Sequence, residues 1–265
     1  MYLKYWGFQL PPFENVPNRD IFFRSSQHEE ALMRLLYAVK NRKGAAMLTG
    51  EVGSGKTTIS KVLKDSLSSD RYSVKTLINP ALNPLDLIRA ILFCLGESSD
   101  SDSKFTLLSR LQERLASNAE QGLHTILIID EAHLIPGRTS LEELRMLLNM
   151  QSENQFLITL IIVGQPLLLE NITALQPLRE RIAVKYHLKP LDLKDTVRYI
   201  LFRLKSAGAE RGIFTKEAMF PLFEYTGGIP LRINNLCDRS LLIGLLRKAK
   251  GINTAIVNEA IEDIQ

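Results

Sequence analysis

Apolar positions along the chain change rhythm once, near Pro190. Before it, short apolar runs alternate with segments of helical spacing; after it, only helical spacing remains. Ser26-Gln27-His28-Glu29 has capping-box spacing and predicts a helix with Leu32, Leu35, Leu36 and Val39 on one face. Ala45–Thr49 reads as a strand and Gly55–Leu67 as the helix after it. Val74–Ile78 predicts a strand, Pro84–Leu95 a helix, and Leu108, Leu111 and Leu115 mark another. Thr125–Ile129 is a continuous β-branched and aliphatic run, the pattern of a strand buried on both faces of a parallel sheet. Ser140 and Glu143 repeat the capping-box pattern ahead of Leu144, Leu147 and Leu148. Leu157–Val163 and Ala183–Leu188 supply two further strands, giving βαβ organisation. Beyond Pro190, one helix carries Val197, Ile200, Leu201 and Leu204, and a second spans Thr215–Tyr225. A third has Pro230 in its first turn, where a missing N–H does no harm, and a fourth carries Val257, Ala260, Ile261 and Ile264. The expected fold is therefore α/β, with a helical part beginning at residues 189–192.

Composition narrows the class without naming it. The 265 residues are 45% hydrophobic and 23% charged, which excludes disordered, collagen-like and coiled-coil chains. No apolar stretch reaches the length of a membrane span, so no transmembrane segment is expected. Lys4, Gln9 and prolines interrupt the apolar start, which rules out a secretory leader there. Cys94 and Cys237 lack CxxC spacing, so a disulfide scaffold or zinc site is not expected; they read as buried small hydrophobes in a reducing cytoplasm. The four histidines have no ligand spacing; His28 and His133 read as local hydrogen-bond donors. A net charge of +4 is compatible with an anionic partner. No internal repeat appears, and the only biased tract is the short polar patch at 97–104.

The chemistry lies in two places. Gly50-Glu51-Val52-Gly53-Ser54-Gly55-Lys56-Thr57 matches G-x-x-x-x-G-K-[ST] between a predicted strand and a predicted helix. Gly53 and Gly55 let the backbone wrap a phosphate without Cβ clashes, so amides and the helix N-terminus converge on its oxygens. Lys56 adds a point charge between β- and γ-phosphates, and the Thr57 hydroxyl is a Mg²⁺ ligand. The acids Asp130 and Glu131 stand at the carboxyl end of the strand Ile126–Ile129, where open α/β sheets bind ligands. Asp130 is the second metal ligand; Glu131 is positioned to orient and deprotonate an attacking water. The phosphate-loop and acidic strands are not expected to be neighbours. The strand Leu157–Val163 should lie between them, leaving room for a catalytic acid and favouring water as nucleophile.

These residues resemble the AAA+ ATPases. More narrowly, the chain is similar to the ExeA/GspA-like secretion and pilus-assembly ATPases, with relatives of the TniB/TnsC kind in transposition. The carriers are Tyr5-Trp6-Gly7-Phe8 with Pro12-Phe13, His28 with Glu30-Ala31-Leu32, and Thr49 to Thr58. Asp130-Glu131-Ala132-His133, Val163-Gly164-Gln165-Pro166, and Gly227-Gly228-Ile229-Pro230 with Asn234 and Leu236-Cys237-Asp238-Arg239 complete them. The resemblance implies a P-loop NTPase core with a five-stranded parallel sheet, at 28–190, and a C-terminal all-α lid, at 191–265. An arm at 1–27, carrying Trp6, Phe8, Phe13, Phe22 and Phe23, would line the adenine site or simply pack on the core. ATP and Mg²⁺ are the implied cofactors, with Glu51, Val52, Gly53, Ser54, Gly55, Lys56, Thr57 and Thr58 cradling nucleotide between core and lid. Gln165 stands where a polar sensor would meet the γ-phosphate or water, although Asn, Ser or Thr is commoner there. Arg181 matches an arginine finger acting on a neighbouring subunit, with Arg179 its near competitor, implying a homo-oligomeric ring or filament. The family places the lid arginine directly after the proline of Gly-Gly-x-Pro; here that residue is Leu231, and Arg232 follows about 100° further round a helix.

Two partners fit this resemblance. One is a secretion or pilus-assembly protein, with the chain cytoplasmic or peripheral at the inner membrane through that partner. Secretion members commonly continue into a membrane segment and a peptidoglycan-binding domain, whereas this sequence stops after the lid, which counts against that partner. The alternative is DNA in a transposition regulator, for which Arg239, Arg247, Lys248 and Lys250 would form the contact patch.

Overall fold

A computed structural model describes residues 2–15, 21–98, 101, 103–152 and 155–264. Parts of two segments weighed above, 16–20 in the arm and 99, 100 and 102 in the polar patch, lie outside the described residues. In chain order the first elements are α1 (Tyr2–Trp6), α2 (Ser26–Lys40), β1 (Ala45–Gly50), α3 (Lys56–Asp65), β2 (Tyr72–Leu77), α4 (Pro84–Cys94) and α5 (Lys104–Glu120). Then come β3 (His124–Ile129), a 3₁₀ turn (Ala132–Leu134), α6 (Gly137–Leu147), a two-stranded ribbon of β4 (Gln151–Ser152) and β5 (Gln155–Phe156), and β6 (Ile158–Gly164). The chain ends with α7 (Leu167–Thr173), α8 (Gln176–Arg181), β7 (Ile182–Leu188), α9 (Leu193–Ser206), α10 (Met219–Thr226), α11 (Pro230–Leu246) and α12 (Thr254–Ile264). Contacts divide it into two units. One holds Glu29–Gly50 with Ile59–Leu188; the other joins Met1–His28, Glu51–Thr58 and Lys189–Gln265. Among the described residues no helix is long and apolar enough to cross a membrane.

The sheet unit is built around three strands whose every residue is buried, β1, β3 and β6. Five parallel strands run in the order β2-β3-β6-β1-β7, so β6 does separate the acidic strand from the strand that leads into the glycine loop. Continuous apolar runs such as Ile126-Leu127-Ile128-Ile129 are stable there because helices cover both faces. β7 is an edge strand, and its sequence shows it: Ala183, Lys185 and His187 face solvent while Ile182 and Leu188 are buried. Cys94 is half-buried, its thiol reaching the Thr76 carbonyl, whereas Cys237 is fully buried in the other unit.

Two helix starts differ from the pattern reading. α2 is capped by Ser25, whose Oγ accepts the His28 amide, so Ser26 is already helical. Ser140 and Glu143 lie inside α6, which begins at Gly137. Ser140 Oγ donates to the Leu82 carbonyl and Glu143 pairs with Lys104 at 2.6 Å. At α2 the preceding serine takes the cap, whereas α6 starts after Pro136 without a side-chain cap and Ser140 is spent on a tertiary carbonyl.

The helical unit contains α1, α9, α10, α11 and α12, and its core takes Trp6, Phe8 and Phe13 from the arm. Residues 2–6 form a short helix that buries Trp6. α10 starts at Met219, four residues after the expected Thr215, and a single parallel bridge joins Phe214 to Ile252. Trp6 Nε1 donates to the Leu241 carbonyl at 3.0 Å. Arg203 on α9, almost fully buried, donates to the Pro12 and Glu14 carbonyls, each at 2.7 Å, and to Tyr199 Oη at 2.9 Å. Tyr199 in turn donates to Asn234, whose amide nitrogen reaches Asn15. Hydrogen bonds from a charged donor contribute about 1.5–3 kcal/mol each, which offsets burying a guanidinium beside backbone carbonyls. The arm is thereby tied to α9 and α11 by polar as well as apolar contacts.

His124, at the entry to β3, gives this fold a pH signature. Thr159 Oγ1 donates to the Lys43 carbonyl at 2.7 Å, so the 2.8 Å contact between the same oxygen and His124 Nε2 makes Nε2 the donor. Burial, reinforced by the Arg42 charge, lowers the His124 pKa to about 4. The unfolded chain takes up a proton near pH 6.5 that the folded chain refuses until about pH 4. Stability should fall as pH drops through that window, by at most about 3 kcal/mol from this group. Urea midpoints at pH 7 and 4.5 should differ more in wild type than in His124→Gln, which keeps a donor and does not titrate; equal differences would refute the assignment.

Candidate functional site

The glycine loop belongs to the helical unit by its contacts. It leaves the end of β1 and enters α3 at Lys56, with Gly53 at φ +78° and Gly55 at φ +101°. Both angles lie where a Cβ is disfavoured. Space forbids one as well. A Cβ on Gly53 would run into Leu231, and one on Gly55 would sit 2.9 Å from His28 Nε2. The outer carbonyls are taken by residues far away in sequence. Leu231 N–H donates to the Gly53 carbonyl at 3.2 Å, and His28 Nε2 to the Ser54 carbonyl at 3.0 Å. The Glu51 carbonyl accepts both the Ser54 amide, at 3.2 Å, and Lys56 Nζ, at 2.8 Å. Lys56 and Ser54 are buried, Thr57 and Thr58 half-buried, and Glu51 and Val52 exposed.

His28 and Leu231 are contacts that sequence reading missed. Nothing in the spacing of either signals a partner 26 or 178 residues away; only the folded chain brings them to the loop. Leu231 occupies the place where the resemblance expects an arginine. Arg232 lies exposed in the first turn of α11.

The sheet unit carries the acids. Asp130 is buried; its amide donates to the Leu77 carbonyl on β2, and its Oδ1 accepts the Glu131 amide at 2.9 Å. Glu131 adopts a left-handed conformation, φ 53° and ψ 35°, which costs a non-glycine residue about 1–2 kcal/mol. Backbone strain of this kind concentrates at functional positions. The Glu131 carboxylate lies 3.3 Å from His133 Nδ1, and that nitrogen also accepts the Gln165 amide at 3.4 Å. Glu131, His133 and Gln165 therefore converge, although His133 serves Gln165 as an acceptor rather than the expected donor, and Gln165 joins through its backbone. Gly164, at the end of β6, permits this approach, because a Cβ there would come within 3.1 Å of the His133 amide nitrogen. Arg181, the last residue of α8, is half-buried and donates Nη1 to the Leu148 carbonyl at 3.1 Å; Arg179 is likewise half-buried.

Each unit offers a hard oxygen donor of the kind Mg²⁺ prefers, the Thr57 hydroxyl in one and the Asp130 carboxylate in the other. A glycine cradle that no Cβ could enter suits phosphate. Among the described residues no group of three His, Cys, Asp or Glu side chains could hold a metal unaided.

A strand, a Gly-rich Lys-Thr loop and a helix, with an Asp-Glu pair ending the strand two places along a parallel sheet, define a P-loop ATPase of the AAA+ class. A family model described as an AAA domain matches residues 39–172, and the chain belongs to that family. Over 251 residues, 93% of this chain, it is 38% identical to general secretion pathway protein A of Aeromonas hydrophila, in keeping with the likeness to ExeA/GspA-type ATPases. The chain spans 45% of that relative's length. Among solved structures it is similar in fold to Cdc6p from Pyrobaculum aerophilum, with TM-score 0.70, 19% identity, and coverage of 92% of this chain and 68% of that one. It is also similar to the RuvB Holliday junction branch migration motor of Thermotoga maritima, with TM-score 0.62, 21% identity, and coverage of 94% and 72%.

Gly164→Ala should press on Leu168, 2.9 Å from the added Cβ, and on the His133 amide at 3.1 Å, shifting the turn after Asp130 slightly from the end of β6. Nucleotide binding is expected to stay near wild type while phosphate release falls roughly ten- to a hundredfold. Unchanged turnover would show that this close approach does not matter.

Proposed function

We propose that the chain binds Mg-ATP on the glycine loop and hydrolyses it, using nucleotide state to drive its own assembly and to work on a protein partner. The observation that carries this reading is the loop itself: two left-handed glycines and Lys56 at the head of α3, with the outward carbonyls already bonded. Amides of residues 51–58 and the first turn of α3 bind the phosphates, and Lys56 neutralises charge between β and γ. Thr57 and Asp130 hold the magnesium ion, which supplies electrostatic stabilisation of the transferred phosphoryl group. Glu131 orients the attacking water and takes its proton; Gln165 senses the γ-phosphate, and Arg232 lies on the lid side of the nucleotide. Arg181 acts on the nucleotide of the next protomer, which makes the interface head-to-tail. Its bond to Leu148 engages Nη1 and supports a guanidinium held in a defined orientation.

Lys56→Ala should abolish nucleotide binding, whereas Glu131→Gln should bind ATP and fail to turn it over. ATPase activity per subunit should rise with protein concentration in wild type and not in Arg181→Ala. Tight ATP binding by the first variant, or hydrolysis by the second, overturns the assigned roles, as concentration-independent activity overturns the trans finger.

Similarity to general secretion pathway protein A supports coupling to assembly of an envelope secretion or pilus apparatus, with the chain cytoplasmic or peripheral at the inner membrane. DNA is the less supported partner. Two of the four C-terminal cations considered for it are paired, Arg239 with Asp263 at 3.0 Å and Arg247 with Glu259 at 2.7 Å. With ATP present, the protein should sediment with inner membranes carrying its partner and be lost from DNA without a steep salt dependence; strong DNA retention falling steeply with salt would reverse the choice.

A further inference from the structure

His28 is buried and bonded on both ring nitrogens. Nε2 lies 3.0 Å from the Ser54 carbonyl, which can only accept, so the ring proton is on Nε2. Nδ1, 2.7 Å from Ser25 Oγ, then accepts the serine hydroxyl proton, and the same oxygen accepts the His28 amide at 3.3 Å. The Phe22 ring stands edge-on to the imidazole at 5.9 Å. Rotation and tautomer are both fixed. Burial lowers the pKa of the ring against the opposing influence of the Ser54 carbonyl and the Asp195 charge.

Capping α2 needs only Ser25, so the helix start does not account for the outer nitrogen. That nitrogen is directed at the phosphate loop, and the ring lies against Gly55, where a Cβ would fall 3.5 Å from Cδ2 as well as 2.9 Å from Nε2. A peptide group is planar, and its carbonyl and amide point in opposite directions. Holding the Ser54 carbonyl toward His28 therefore turns the Gly55 amide to the far side of the loop.

We propose that His28 is a positioning residue of the phosphate loop: through the Ser54 carbonyl it fixes the direction of the Gly55 amide toward the terminal phosphates of a nucleoside di- or triphosphate. This rests on the nucleotide-binding reading above. The test titrates a fluorescent ADP analogue and Mg-ATP into the full chain as wild type, His28→Leu and His28→Gln, with thermal melts to confirm folding. His28→Leu should weaken affinity roughly tenfold, the loss of one hydrogen bond, while kcat at saturating ATP changes less than about twofold. The glutamine amide reaches as far as Nε2, so His28→Gln should return to within about threefold of wild type. Wild-type affinity in His28→Leu, or no recovery in a folded His28→Gln, overturns this proposal alone. A wild type that binds no nucleotide overturns the reading beneath it too. Should the variants not fold, long-range ¹H–¹⁵N correlation on wild type decides: a proton on Nε2 supports the proposal, and the opposite tautomer overturns it.

Discussion

Backbone amides can face an anion only where the opposite ends of the same peptide groups are satisfied elsewhere. Here the Glu51, Gly53 and Ser54 carbonyls are taken by Lys56 and the Ser54 amide, by Leu231, and by His28. Glycine at 53 and 55 is then required twice, by backbone angle and by the side chains that press on the loop from outside. The eight-residue motif names the residues proposed to meet phosphate. It is silent on the two distant residues that hold the loop in shape.

Much of the architecture was legible because burial leaves a local trace. Runs such as Ile126–Ile129 and Leu160–Val163 have no polar alternation, and strands of that kind belong inside a covered parallel sheet. The placement of β6 between β1 and β3 followed from the motifs and their spacing. Legibility ended where a side chain's role depends on a remote partner. Ser25 and Ser26 are equal as caps until the former finds the His28 amide, and Ser140 looks like a cap until Leu82 offers it a carbonyl. His133 is visible as a residue near the acids, but its sharing between Glu131 and Gln165 comes from β3 and β6 being neighbours.

Charge follows the same logic. A count of basic residues near the C-terminus suggests an anion-binding face, yet Arg239 and Arg247 on the α11 side meet Asp263 and Glu259 of α12. Exposed pairs of this kind add little to stability, about 0–1 kcal/mol, but they halve the cationic character a sequence count implies. The strain at Glu131 works in the other direction. It consumes stability at the residue that follows Asp130, and the Glu131 amide, donating to Asp130 Oδ1, helps keep that turn in place.

The helical unit also has a history in time. Trp6, Phe8 and Phe13 are made first, but the α9–α12 residues that cover them begin only after Lys189. At about 5–20 residues per second a ribosome needs roughly ten to thirty seconds to cross that gap. For that interval the aromatic segment has no native place to go, while the strands of the sheet are completed before Lys189. During synthesis this aromatic segment should therefore stay exposed to chaperones and neighbouring polysomes until its own partners have been made.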